Sequence, residues 1–192
     1  MYVIVLVASL FVLNSAAPVI SEDATTCGFP NNTDKALHYY LCSGENEQFR
    51  IDNITITNSK GVPYYPIDPN QPNTLYLYTY NNGPQINDNK NNVSLYEYIP
   101  GWGGSSCGWA EVPTYSLLDN IDGCQFAKNC PLTSGPLVLI LPLDLTPFAK
   151  ILNHIAAYKP YQLEIRIFNW NDQKPQDKHP EICCIMVQLE MI

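Results

Sequence analysis

Two segments near the C-terminal end constrain this chain most. In Tyr161-Gln162-Leu163-Glu164-Ile165-Arg166-Ile167 apolar and polar residues alternate without a break, and the same period runs through Ile185–Met191. Neighbouring side chains of a β-strand point to opposite faces, so each segment reads as a strand with one face in a core. Phe49–Thr57, Thr74–Tyr80, Val93–Ile99 and Trp109–Leu118 add β-branched and aromatic runs between turn residues. Leu137–Leu143 is apolar throughout, the form of a strand buried on both faces. About seven strands separated by Asn, Gly and Pro turns predict an all-β, immunoglobulin-like two-sheet β-sandwich. The 16 prolines agree, since proline breaks helices and suits turns and strand ends.

One helix interrupts the pattern. Thr146 is a good N-cap, Pro147 fits the first turn, and Phe148, Ile151, Leu152 and Ile155 share a face at helical spacing. A short inserted helix is therefore expected near 147–158, ended by Tyr158-Lys159-Pro160. A weaker helical turn is expected within Thr33–Tyr40, and the Asn-rich stretch Asn81–Asn92 reads as an exposed loop.

The first 17 residues form an apolar run ending in Ser15-Ala16-Ala17, which reads as a secretory signal peptide despite lacking Lys or Arg. Cleavage after Ser15, Ala16 or Ala17 and retention as an anchor both remain open. Residues 18–41 read as an N-terminal extension and 42–192 as the sandwich domain. All seven cysteines lie beyond the leader, where an oxidising compartment favours pairing them. Three sequons, at Asn31, Asn53 and Asn92, then become candidate glycosylation sites.

The net charge of −8 argues against nucleic acid, which needs a basic footprint. It also predicts repulsion from anionic membranes at neutral pH that eases as carboxylates protonate.

Motifs for chemistry are weak. Gly104-Ser105-Ser106-Cys107-Gly108 matches the nucleophile-elbow pattern, but Trp109-Ala110-Glu111-Val112-Pro113 follows it where a helix is required. His38, His154 and His179 show no zinc spacing, so no metal or other cofactor is expected. Cys183 and Cys184, if in a strand, point to opposite faces and serve different neighbours. Tyr76, Tyr78 and Tyr80 share one strand face and Leu75 and Leu77 the other; which face turns inward stays open.

The stretch Asp122-Gly123-Cys124 followed by Asn129-Cys130-Pro131 resembles the central disulfide loop of the ML lipid-recognition family. That family includes the Niemann-Pick type C sterol carrier, the ganglioside activator and the lipopolysaccharide co-receptor. The resemblance runs from about Cys42 to Ile192, with Val112-Pro113 before the loop and Cys184 leading the last strand. It implies disulfides Cys42–Cys184 and Cys124–Cys130, and likens Cys27 to an extra cysteine of the co-receptor branch. Cys27, Cys107 and Cys183 are left without an assigned pairing. The early cysteine pair common in the family is missing, Gly61-Val62-Pro63-Tyr64-Tyr65 standing in that region.

What the resemblance implies is a non-enzymatic lipid-binding or lipid-transfer protein, secreted or lysosomal. It would hold a sterol, phospholipid or glycolipid between its sheets and touch membranes transiently. The expected lining is Ile54, Ile56, Leu75, Leu77, Val112, Leu139, Leu141, Leu163, Ile165, Ile167, Val187 and Leu189, with Phe148 and Ile151 of the helix at the mouth. The same positions fit a closed, packed core, which is how protein interiors are ordinarily built. Other readings are a lipid-sensing co-receptor for a membrane receptor, a Ser106 hydrolase and a tyrosine-faced lectin.

Overall fold

The computed structural model describes residues 27–42, 48–102, 106–125, 129–144, 146, 151, 154–155, 158–172 and 179–192. The chain is an all-β two-sheet sandwich. After a 3-10 turn at Pro30–Asn32 come β1 (His38–Leu41), β2 (Phe49–Asn58), β3 (Asn73–Asn81), β4 (Asn89–Pro100) and β5 (Cys107–Val112). These are followed by β6 (Ile121–Asp122), β7 (Gly135–Leu143), β8 (Lys159–Asn169) and β9 (Glu181–Met191). One sheet runs β1-β9-β8-β4-β5, with β6 also paired to β4; the other runs β2-β3-β7. All the strand pairings are antiparallel.

The alternating segments do what their period requires. Leu163 faces Val187 and Ile165 faces Ile185 across β8 and β9, all four buried toward the opposite sheet. On the other sheet Leu75 and Leu77 point inward beside Leu141 and Leu139, which leaves Tyr76, Tyr78 and Tyr80 on the outer face. The two inner faces make one continuous apolar core, to which Phe49, Ile86, Leu132 and Tyr161 also belong.

Several boundaries differ from the sequence expectation. β5 stops at Val112 because Pro113 has no N–H for the ladder, and 113–120 turns through left-handed backbone at Tyr115, Ser116 and Asn120. β3 runs to the buried Asn81 and β4 begins at Asn89, paired with Asn169, so only 82–88 of the Asn-rich stretch is loop. Of the helical turn expected within Thr33–Tyr40, only 33–36 turns, Lys35 N and Ala36 N both donating to Asn32 O, whereas 38–41 form an edge strand against β9 with Leu37, Tyr39 and Leu41 packed on the core. β7 is an edge strand with Val138 and Ile140 exposed, not a strand covered on both faces. The inserted helix near 147–158 lies outside the described residues except Ile151, His154, Ile155 and Tyr158. Of these, Ile151 is fully buried in the core and Ile155 packs against it.

Three disulfides staple the sandwich. Cys27–Cys107 ties the N-terminal segment to the start of β5, Cys42–Cys184 joins the end of β1 to β9, and Cys124–Cys130 closes the short loop after β6. Such pairing fits an oxidising, extracytoplasmic location. Cys183 and Cys184 face opposite sides of β9. Cys184 is in the outer-face disulfide, while Cys183 lies buried in the apolar core outside the three disulfides. No helix among the described residues is long and apolar enough to cross a membrane.

The short loop also links the two sheets. Asp122 pairs with Lys90 of β4, and its carboxylate accepts from Lys90 Nζ at 2.8 Å. Asn129, at the far end of the loop, reaches the opposite sheet. Its amide accepts from the Ile140 N–H at 2.8 Å and donates to the Ile140 carbonyl at 2.9 Å. The side chain thereby occupies the open hydrogen-bonding edge of β7, a position that would otherwise invite another strand.

Candidate functional site

Inside the sandwich, where β3 begins and β7 ends, the sheets leave an apolar cavity of about 190 Å3. Val93 and Leu95 of β4, Leu163 of β8 and Met191 of β9 form one wall. Asn73 of β3 with Pro142 and Leu143 of β7 forms the other. Ile67 and Pro69 from the β2–β3 connection, Leu117 and Leu118 between β5 and β6, and Ile121 of β6 complete the lining, with Asp144 beside Leu143.

Backbone bonds hold these walls. Ile67 donates to Glu190 O at 3.1 Å and accepts from Ile192 N at 2.9 Å, which straps the connection onto β9. The Leu118 carbonyl accepts from Val93 N at 2.9 Å, bringing the turn after β5 back over β4. Leu117 is 41% exposed and marks the solvent side of the lining.

Asn73, with Thr79 and Asn81, is one of three buried polar residues on the inner face of β3, and the one that lines the cavity. Its Nδ2 donates to Asp68 O and Gln71 O, each at 2.8 Å, and so shapes the connection into the strand. Its Oδ1 is buried and has no hydrogen-bond partner among the described residues. An unpaired buried acceptor costs roughly 1–3 kcal/mol.

Of the residues expected to line a lipid site, Leu163 does line the cavity. Ile54, Ile56, Leu75, Leu77, Val112, Leu139, Ile165, Ile167, Val187 and Leu189 pack on one another in the closed core, with Leu141 half-buried against them. Ile151 is buried in the same core, and Phe148 lies outside the described residues. Val93 and Leu95 also line the cavity, from inward positions of the strand expected over Val93–Ile99. Ile67 and Leu118 sit in connections, and Ile121 in the two-residue β6, where strand period carries no signal.

The outer face of the six-stranded sheet is polar and partly covered by residues 27–37. Asn31 Nδ2 donates to Gln188 Oε1 at 2.7 Å, and Gln188 donates to Gln162 at 2.8 Å. The Tyr65 hydroxyl donates to Thr33 O and accepts from Glu190 N at 2.9 Å. Burial pushes that phenol up to about 12. Burial, with Asp34 nearby, likewise raises the Glu190 carboxyl above its ordinary value. Burial and a hydroxyl bond to Glu164 raise the Tyr96 phenol.

The remaining motif residues are dispersed. Ser106 is exposed and leads into strand β5, not into the helix that a nucleophile elbow requires. His38 neighbours Tyr40, His154 lies 3.1 Å from the Tyr115 hydroxyl, and His179 stacks on Trp170 at 3.8 Å. The carboxylate–sulfur groups around Glu164 and around Asp122 contain disulfide sulfurs, which lack the thiolate that binds metal. Asn53 is exposed on β2, Asn92 is half-buried on β4, and Asn31 is held against Gln188.

Known protein families show no match to the chain, and no curated protein matches it in sequence. Among solved structures it is similar to the C-terminal domain of Wzt, at 12% identity and a TM-score of 0.43, over 81% of this chain and 78% of that one. A likeness this distant carries nothing about ligand or partner.

Proposed function

We propose that this is a non-enzymatic lipid-binding or lipid-transfer protein of the ML type, acting outside the cytoplasm, secreted or lysosomal. The observation that carries the reading is the apolar cavity of about 190 Å3 between the sheets. An engineered apolar cavity of roughly 150 Å3 stays dry and takes up benzene, so this space matches one ring or the end of one acyl chain. Whole-ligand pockets run to about 300–1,000 Å3, so a complete sterol or acyl chain would need the sheets to part further at Leu117 and Leu143.

The test is native mass spectrometry of protein from a eukaryotic secretory host, followed by lipid extraction. A stoichiometric apolar ligand, or one acquired from mixed lipid vesicles, supports the reading. A ligand-free mass that vesicles leave unchanged overturns it. A second reading, a lipid-sensing co-receptor, is favoured by Trp102, fully exposed in the β4–β5 turn as a ready contact for a membrane or receptor. A stable complex with a receptor ectodomain that Trp102→Ala abolishes would select it.

A further inference from the structure

The outer face of the three-stranded sheet carries exposed apolar side chains on β3 and β7, bordered by Arg50 of β2, whose guanidinium lies 5.2 Å over the Tyr80 ring. Tyr78, Tyr80, Val138 and Ile140 are each between 37% and 44% exposed, and Pro136 lies opposite Tyr80. Exposed apolar patches of this kind mark something that covers them. β2, the strand bordering this face, is also a sheet edge.

We propose that this face is covered by an N-linked glycan on Asn53, and that Asn53 is the sequon the fold is built to carry. The strand registers supply the argument. Asn53 lies opposite Tyr78, and Tyr78 lies opposite Val138, so the three form one row across the sheet. Ile54 and Ile56 are buried, so Asn53 and Thr55 of the sequon point outward with the tyrosines. With strands spaced about 4.8 Å apart, a sugar on Asn53 reaches Tyr78 directly and Val138 by its next unit. A pyranose has an apolar C–H face that stacks on a phenol ring while its hydroxyls stay in water, so it hides hydrocarbon under a polar exterior.

The backbone is shaped for this load. The β2–β3 register shifts between Ile51 and Asn53, a bulge that lifts the edge at Asp52.

The other two sequons fit a glycan poorly. Asn31 uses its Nδ2, the atom that would bear the sugar, to donate to the buried Gln188, and Thr33 is fully buried with its hydroxyl on Pro30 O at 2.8 Å. Asn92 sits opposite Arg166 in a central strand, and its Oδ1 accepts from Asn120 N at 2.8 Å. The proposal is independent of the lipid reading and rests on passage through a glycosylating compartment, which the three disulfides favour.

The test uses the whole chain made through a eukaryotic secretory host. Glycopeptide mass spectrometry is expected to find Asn53 occupied. Enzymatic removal of the glycan from the folded protein, and Asn53→Gln separately, are each expected to raise binding of an apolar dye about twofold. Tyr78→Ser on the Asn53→Gln background is expected to bring the signal back down, whereas Asn92→Gln leaves it at the starting level. Because deglycosylation acts on folded protein, the answer does not depend on how well Asn53→Gln folds. A bare Asn53 in secreted protein, a dye signal that deglycosylation leaves unchanged, or an equal rise for Asn92→Gln overturns the proposal. So does a stable dimer through this face, which would make a second copy the occupant.

Discussion

Filling the cavity separates a ligand site from an ordinary core more sharply than emptying it would. An unfilled apolar space costs about 24 cal/mol per Å3, so 190 Å3 corresponds to roughly 4.5 kcal/mol of forgone stability. Val93 lines that space from the six-stranded sheet, opposite Ile165. Val93→Phe adds about four carbons, worth about 3 kcal/mol at ~0.8 kcal/mol per buried methylene. Residual strain of about 1–3 kcal/mol opposes this, leaving a variant between unchanged and about 2 kcal/mol more stable. For a domain of this size that is a melting temperature up to about 4–8 °C higher. Val187→Phe is the matched control, since Val187 is fully buried in packed core and has no space to receive a ring. It is expected to lose about 1–3 kcal/mol. The assay is thermal and chemical unfolding of both variants, beside exchange of a fluorescent lipid between vesicles, which Val93→Phe should suppress. If Val93→Phe destabilises as much as Val187→Phe, or exchanges lipid at the wild-type rate, the reasoning fails.

Gly123→Ala places a Cβ 1.8 Å from Asn89 Oδ1, so calorimetry should show a loss above about 2 kcal/mol unless the β6–β4 junction opens. Asn81 is fully buried; its Nδ2 donates to the carbonyls of Pro84, Leu132 and Thr133, and its Oδ1 accepts from Gly83 N and Gln48. Asn81→Ala strands several of these groups and should cost about 3 kcal/mol or more in urea titration. The hydrogen bond from Lys90 holds the Asp122 carboxyl below its ordinary value, so its stabilisation is present above that value and lost as pH falls through the folded one. Lys90→Met should therefore weaken the acid-side fall in stability measured by denaturant midpoints from pH 2 to 5. Glu190 has the opposite sign. Burial raises its carboxyl, so the folded state gains at low pH and loses that gain as pH rises through the folded value. Glu190→Gln should raise stability at pH 7 relative to pH 4, and an unchanged difference would rule out that role.

Strand period carried most of the sheet because alternation reports burial directly: Leu163, Ile165 and Ile167 of β8 and Val187 and Leu189 of β9 are inward where the pattern requires. The pattern misled at β7. A run of apolar residues cannot say whether its second face meets protein or water, and here Val138 and Ile140 meet water. The cavity was least legible. It lies where strands end, and Ile67 and Leu118 come from connections whose positions follow from hydrogen bonds made far away in the chain.

The sequence alone determined the all-β character, the inward and outward positions along most strands, and the cysteines available to staple them. Those properties are local, set by side-chain chemistry repeating at the strand period. Only the tertiary structure decided that the tyrosine face of β3 turns outward, that Cys27 meets Cys107, and that the sheets splay beside Asn73. Each of these depends on segments distant in sequence competing for the same space, and no short stretch of chain contains that competition.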